Sequence, residues 1–347
     1  MSEGTSHLNP WTLAVLAGGR SAEREVSLRS GAAVSAALRA GGHRVIELDP
    51  ARDNLALIDW KALPDGPPAA NRSVAVDAVV IALHGAYGED GEVQALLESK
   101  DIPYTGSDST ASALAFSKWS AKQCFLAVGV PTPAACRISS SDPPGFAYSA
   151  ADAIGYPLVV KPDRQGSSIG VTIVHSRAGL DEALQNCFRF DTSGLLEAAV
   201  LGDEWTVAVL DGEMLPPIRI GTSRQFYDYT AKYDADDTQY QFEGAPAGLM
   251  TALGELAASA CQAIGAAGIA RVDIRLDEAD RPFVLEVNTI PGMTDHSLVP
   301  KAAARLGWSM TALCERAVAS ALEIHHARKK SRLLPGQSPS RSHRKAG

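Results

Sequence analysis

The sequence predicts an α/β domain built on a doubly wound parallel sheet, followed by an α+β region of antiparallel sheets, and three observations carry that prediction. Apolar strand-like runs alternate with helical patterns over the first third of the chain. Asp211-Gly212, between two apolar runs, then signals a tight hairpin and a change to antiparallel pairing. Finally, Arg271–Leu276 and Pro282–Asn288 alternate with period two on either side of the polar turn Glu278–Arg281.

The elements follow in chain order. Trp11–Ala17 is an apolar strand ending at Gly18-Gly19, and a helical pattern runs from there through Arg39. Gly41–Asp49 gives a second strand and Val76–Leu83 a third, whose continuous apolar character implies burial on both faces. Ligands of parallel sheets gather beyond the carboxyl ends of the strands, where Gly18-Gly19 and His84-Gly85 fall. Gly18-Gly-Arg-Ser21 is not a dinucleotide fingerprint, so a dehydrogenase is excluded from the leading readings. Gly88–Gly91 opens a helix to Lys100, Asp101–Gly106 reads as a short strand and exit loop, and one helix is expected from Ser109 to Val128. Gly129–Pro133 ends it, because proline cannot continue a helix. Ser139–Tyr148 reads as a surface linker.

The second region begins with the strand Tyr156–Lys161, the glycine- and serine-rich loop Pro162–Gly170 and the strand Val171–Val174. Such a loop makes a cover whose backbone N–H groups can face phosphate oxygens, although no Walker motif occurs anywhere. Arg177–Phe188 reads as a helix, and Gly194–Val200 and Glu204–Leu210 as strands. Residues 221–248 lack periodicity over a length that calls for an explanation, and a lid is the functional reading. Thr251–Gly265 and Met310–His325 are helical patterns, and beyond the latter lies a basic tail without acids, expected to be disordered. The resulting division is a disordered N-terminus (1–10), an N-terminal domain (11–117), a central subdomain (118–200), a C-terminal subdomain (201–325) and the tail (326–347).

The hairpin carries the chemistry. Val272, Ile274 and Leu276, with Phe283, Leu285 and Val287, are expected to face a core, leaving Arg271, Asp273, Arg275, Glu286 and Asn288 on the other face. The register that matches the faces sets Asp273 opposite Glu286 and Arg271 opposite Asn288. Opposed carboxylates repel unless something positive lies between them. Two readings stand: hard oxygen ligands for Mg²⁺ and nucleotide phosphates, or a solvated face neutralised by its arginines. Glu23, near the start of the first helix, either complements the macrodipole or holds an ammonium group at the ligand edge of the sheet. His84 is either a satisfied core histidine or a ligand-side group.

Composition narrows the partners. The chain has 347 residues, beyond a usual single core, and is 46% hydrophobic, enough to bury two or three. A net charge of −8 and a pI near 5.5 argue against nucleic acid and for small substrates. Five scattered cysteines without CxxC spacing indicate neither disulfides nor zinc. With no leader-like N-terminus and no apolar run approaching the roughly 20 residues of a membrane span, the expectation is a cytoplasmic protein with no membrane partner.

The ordered motifs Leu16–Ser27, Ala82–Gly85, Gly88–Gly91, Pro103–Gly106, Val160–Pro162, Gly166–Gly170, Phe226–Tyr229, Ala231–Tyr233, Thr238–Tyr240, Leu285–Asn288 and Pro291–Leu298 resemble those of the D-alanine–D-alanine ligases within the ATP-grasp enzymes. The likeness spans about Thr12 to Glu323. It implies a two-subdomain ATP-grasp fold behind the N-terminal domain, and ATP-dependent joining of two D-alanines through an acyl phosphate for peptidoglycan synthesis. By the same resemblance, Asp273, Glu286 and Asn288 would hold two Mg²⁺ or Mn²⁺, with K⁺ left open. Lys118, Lys161, Ser168 and Lys232 would contact the nucleotide, and Glu197 and Glu204 its adenine and ribose edges. Glu23 would take the first D-alanine's ammonium, with Ser167 and Tyr233 tying that subsite to the lid. His84, Ser297 and Leu298 would serve substrate binding, the last two at the second D-alanine, while Arg271 and the Gly292 N–H would stabilise the tetrahedral intermediate. A homodimer is also implied. Gln165, Ala198-Ala199 and the lid segment Gln241–Pro246 depart from the usual pattern, which leaves the adenine wall and lid closure open. A D-alanine–D-lactate ligase, a peptide-forming relative from antibiotic biosynthesis and a non-catalytic nucleotide-binding regulator are the competing readings. Tyr233 favours an amine as second substrate.

Overall fold

The computed structural model describes residues 10–64, 73–221, 239–243 and 245–333. Most of the expected lid, including Lys232 and Tyr233, lies outside the described residues, as do the first nine residues and the last fourteen.

The N-terminal sheet has the order β2-β1-β5, from Arg44–Leu48, Thr12–Leu16 and Ala78–Ile81, all parallel. A two-stranded ribbon, β3 (Leu63–Pro64) with β4 (Ser73–Val74), lies beside it, and Tyr104 extends it by a bridge to Val79. Leu13 to Leu16 and Ala78 to Ile81 are buried, as their continuous apolar runs require. Helix α1 (Arg24–Ala40) starts beyond β1 and α2 (Glu92–Ser99) beyond β5.

The single helix expected over 109–128 is two: α3 (Ser109–Phe116) and α4 (Lys118–Ala127). Ser117 breaks it with an extended backbone, and its hydroxyl accepts the Ser120 N–H to cap α4. The 139–148 linker is likewise more ordered than expected, ending strand β6 (Ala135–Ser139) and starting α5 (Phe146–Ile154). The central sheet is antiparallel, in the order β6-β9-β7-β8, where β7 is Leu158–Pro162, β8 Thr172–Val174 and β9 Ser193–Ala198. Its inward face, Leu158, Val160, Val174 and Leu196, packs on α5 and α6 (Leu180–Phe188). Its other face carries Val159, Lys161, Ile173 and Glu197.

The C-terminal sheet runs β13-β12-β10-β14-β15, from Gln239–Gln241, Ile218–Gly221, Glu204–Leu210, Ile269–Leu276 and Pro282–Asn288. Strand β11 (Glu213–Met214) pairs with β10 across Asp211 and Gly212, both at positive φ as a type I′ turn requires. Val207, Val209, Val272 and Ile274 pack on α4 and α7 (Ala247–Ile264). By length and composition α7 is apolar enough to cross a membrane, but Leu253, Ala257, Ala260 and Ile264 are buried in this core. The opposite face is covered at one end by α8 (Leu298–Arg305) and α9 (Met310–Leu333).

Two expectations change here. The hairpin register holds, with Asp273 opposite Glu286 and Arg271 opposite Asn288, but Ile274 then pairs with Val284, leaving Leu285 bulged out. Val284 therefore fills the core, while Phe283, opposite Arg275, and Leu285 turn to the other face, against their expected inward positions. The last helix runs on to Leu333 rather than ending at His325, because Arg328 and Lys329 find Asp108 and Asp101 on the N-terminal domain. The tail is helical over its first eight residues.

Candidate active site

A cleft of about 850 Å³, counting its open mouth, lies between the central and C-terminal sheets. It is lined by Lys118, Lys161, Ser167, Ser168, Glu197, Glu204, Asp273 and Glu286, which brings most of the sequence-predicted nucleotide and metal residues together. Val159, Ile173 and Leu285 add an apolar slot, and Leu285 reaches it only because of the bulge.

Lys118 stands at the first turn of α4, fixed there by Asp163 from the start of the cover loop. That carboxylate accepts from the Trp119 N–H at 2.8 Å and the Ser117 hydroxyl at 2.9 Å, an acid at a helix N-terminus. Lys118 Nζ donates to the Gln165 carbonyl at 2.7 Å and lies 3.2 Å from Glu286 Oε2, joining the cover loop to the hairpin. Burial pulls the Lys118 ammonium down, but the carboxylates of Glu286, Asp163 and Glu89 together outweigh it and the pKa is raised.

On the floor, Arg271 holds Asp273 through two hydrogen bonds, Nε to Oδ1 at 2.9 Å and Nη2 to Oδ2 at 2.7 Å. Thr206 Oγ1 donates to Asp273 Oδ1 at 2.7 Å and Asn288 Nδ2 to Oδ2 at 3.3 Å. Glu204 accepts from Arg275 Nη2 at 2.8 Å. Among the described residues no group of three or more His, Cys, Asp or Glu could hold a metal ion. The hairpin offers two carboxylates and an amide oxygen, still a hard-oxygen set suited to Mg²⁺ beside phosphates.

On the wall, Glu197 is 3% exposed and sits between two lysines, Lys161 Nζ at 2.6 Å and Lys122 Nζ at 2.5 Å. Burial pushes its pKa up, but the two ammonium groups prevail and lower it. Sequence reading missed Lys122, Asp163 and Leu285. For Lys122 the available signal was its spacing of one helical turn from Lys118.

The cover loop reaches the N-terminal domain. Ser167 and Ser168 adopt left-handed backbone, φ 53° and 57°, a strained arrangement for non-glycine residues. Ser167 Oγ donates to Glu23 Oε1 at 2.5 Å. Glu23 is buried at the start of α1, yet its side chain makes no cap hydrogen bond, so helix capping does not account for it. A Cβ on Gly166 would lie 2.8 Å from Glu23 Oε2, and one on Gly85 2.9 Å, so both glycines admit the carboxylate. A smaller hollow shares Lys118, Gly166 and Glu286 with the cleft and continues to Glu89 and Asn288. His84 is buried between Ser30 Oγ at 3.1 Å and Glu89 Oε1 at 3.3 Å. Burial and nearby Glu23 push the Glu89 pKa up against the pull of His84.

The remaining predicted residues lie off the cleft. The Ser297 hydroxyl accepts the Thr294 N–H at 3.0 Å, and a Cβ on Gly292 would meet that hydroxyl at 2.8 Å, so the two sit together. The Leu298 side chain is buried in the core, which leaves its backbone alone for any ligand. The Met293 N–H donates to Ser30 Oγ at 3.3 Å and ties this loop to the His84 cluster.

Two antiparallel sheets closing on a cleft of lysines, ligand-facing acids and a glycine- and serine-rich cover, beside a parallel-sheet domain, define an ATP-grasp ligase. Residues 47–107 match the family model described as D-ala D-ala ligase N-terminus, and residues 128–319 the model described as D-ala D-ala ligase C-terminus. The chain is 46% identical over 312 residues to the D-alanine–D-alanine ligase of Ectopseudomonas mendocina (strain ymp), covering 90% of this chain and 95% of that one. It is 48% identical over 300 residues to that of Pseudomonas putida (strain GB-1), covering 85% and 88%. A crystal structure of the Bacillus anthracis D-alanine–D-alanine ligase complexed with ATP superposes with a TM-score of 0.77 at 30% identity, covering 92% of this chain and 99% of that one. The chain belongs to the D-alanine–D-alanine ligase family.

Proposed function

We propose that this chain joins two D-alanine molecules at the expense of ATP, releasing ADP and phosphate, and that the cleft residues carry the roles their positions suggest. The observation that carries the reading is the convergence of Lys118, Lys161, the Gly166–Ser168 turn, Glu204, Asp273 and Glu286 on one cleft that continues toward Glu23.

A carboxylate is a poor electrophile, so transfer of the γ-phosphoryl group to the first D-alanine makes an acyl phosphate. The second amine attacks its carbonyl carbon, and the tetrahedral intermediate collapses with loss of phosphate. Phosphoryl transfer is mostly positioning and charge neutralisation. Lys118 and Lys161 would supply positive charge at the phosphates, joined by Lys232 and the Ser168 turn. Glu197 and Glu204 would border adenine and ribose. Asp273, Glu286 and Asn288 would hold Mg²⁺ or Mn²⁺, which would neutralise triphosphate charge when bound. Arg271 stays beside Asp273 and, with the Gly292 N–H, would face negative charge on the tetrahedral oxygen. Glu23, oriented by Ser167, would hold the first ammonium, with Tyr233 closing that subsite. His84 would support it through Glu89. Ser297 and the Leu298 backbone would hold the second D-alanine. Water exclusion protects an acyl phosphate, which is the work assigned to the lid.

The proposal extends to a cytoplasmic homodimer serving peptidoglycan precursor synthesis, supported by the acidic composition, the five unpaired cysteines and the family relationship. Its test is ADP release with D-alanine alone, with D-alanine plus D-lactate, and with D-alanine after chelator treatment, with and without K⁺. We expect release with D-alanine alone, abolished by the chelator. No ADP with any amino acid, or full activity under chelation, refutes the reading.

A further inference from the structure

Lys122 lies behind the cleft. It is 1% exposed and, unlike Lys118 one turn earlier on α4, does not line the ligand space. Its ammonium lies 2.5 Å from Glu197 Oε2, and it donates to Thr132 Oγ1 at 2.7 Å and the Pro133 carbonyl at 3.0 Å. Two of its N–H groups are thus used in hydrogen bonds, and the charge itself is paired with the Glu197 carboxylate. Thr132 in turn donates to the Val284 carbonyl at 2.8 Å, the residue before the bulge that presents Leu285 and Glu286. Lys122 thus joins the acid of the wall to the strand of the floor.

The arrangement holds more positive charge than one buried carboxylate needs. Glu197 Oε1 is held by Lys161, which does line the cleft, and Oε2 by Lys122, which does not. For Lys161 to engage phosphate oxygens it must loosen its grip on Glu197. A carboxylate buried to that degree and left without a cation would either take up a proton or retain Lys161.

We propose that Lys122 is a positioning residue for nucleotide binding: a standing counter-ion that keeps Glu197 ionised and oriented, so that Lys161 is released to the phosphates. The assignment rests on the nucleotide reading of the cleft and adds to it a residue that touches no substrate. Burial brings the Lys122 pKa down to about 8 against the pull of Glu197, with Lys161 lowering it further. Those are the charged groups acting on it, and its charge is within reach of a pH series.

The test is calorimetric titration of the full-length protein with ADP and Mg²⁺, alongside steady-state kinetics. For Lys122→Met we expect ADP affinity to fall about tenfold or more, as for loss of a buried charged contact, while the KM for D-alanine stays within about twofold. In the wild type ADP affinity should weaken as pH rises through about 8, and in Lys122→Arg, whose guanidinium stays charged, that inflection should be missing. Unchanged ADP affinity in Lys122→Met overturns the proposal. Should that variant fail to fold, identical pH profiles for the wild type and Lys122→Arg overturn it instead. A wild-type chain that binds no ADP at all refutes the nucleotide reading itself.

Discussion

The floor and the wall of the cleft use the same charges in opposite ways. On the hairpin floor, Glu286 keeps a quarter of its side chain open and its cation, Lys118, arrives from another element. On the central wall, Glu197 is sealed between two lysines. Open pairs can exchange partners with a ligand at little cost, whereas a sealed one loses heavily when any member goes. The floor is therefore suited to recruiting cations and phosphate, and the wall to keeping Glu197 paired with Lys122 when Lys161 turns to a ligand. Breaking the wall should register first as lost stability. Breaking the floor should register as lost turnover.

The largest effect should come from Glu197→Ala, which leaves Lys161 and Lys122 facing each other without an anion. We expect a loss of about 3–5 kcal/mol in urea unfolding, the usual result of removing one member of a buried pair. A loss under about 1 kcal/mol would mean that the wall is as open as the floor. Arg271→Ala should do the reverse. Removing one preorganised donor typically lowers turnover about 10²-fold to 10³-fold, and we expect at least that with a retained circular dichroism spectrum. Unchanged turnover would take Arg271 out of the chemistry.

A third substitution separates the nucleotide cleft from the amino-acid end. In Gly166→Ala the new Cβ would lie 2.8 Å and 3.0 Å from the two Glu23 oxygens, so the carboxylate or the cover loop must move. We expect the KM for D-alanine to rise about tenfold to a hundredfold, as for an ångström-scale misplacement, with ADP affinity held. Equal losses of both would show that the cover loop moves as a unit and that the two ends are not separable.

The sequence made the floor legible and the wall much less so, and the reason is physical. Period-two alternation fixes which residues share a strand face, so the opposition of Asp273 to Glu286 followed from pattern alone. The bulge at Leu285 did not, because the three consecutive apolar residues Phe283, Val284 and Leu285 interrupt the alternation there without marking which of them faces the core. Lys122 escaped for another reason. A lysine on a helix reads as surface, and only the fold reveals that Glu197 and Thr132 close over it. The break at Ser117 has a sequence signature in its capping hydroxyl, but the apolar residues on both sides masked it. The extension of α9 to Leu333 depended on acids more than 200 residues away.

The smallest effect tests the joint between the two surfaces. Thr132 stands where Lys122 from the wall side and Val284 from the floor side meet, accepting from one and donating to the other. Thr132→Val keeps the shape and removes the hydroxyl, leaving a buried carbonyl and one ammonium hydrogen without that partner. The expected cost is about 1–2 kcal/mol in urea unfolding, the scale of a buried polar group left unsatisfied. Because Lys122 still has Glu197 and the Pro133 carbonyl, ADP affinity should change no more than about threefold. A fall in affinity as large as that of Lys122→Met would mean that the hydroxyl, rather than the charge, aligns Glu197, and the contrast between a sealed wall and an open floor would then rest on geometry more than on electrostatics.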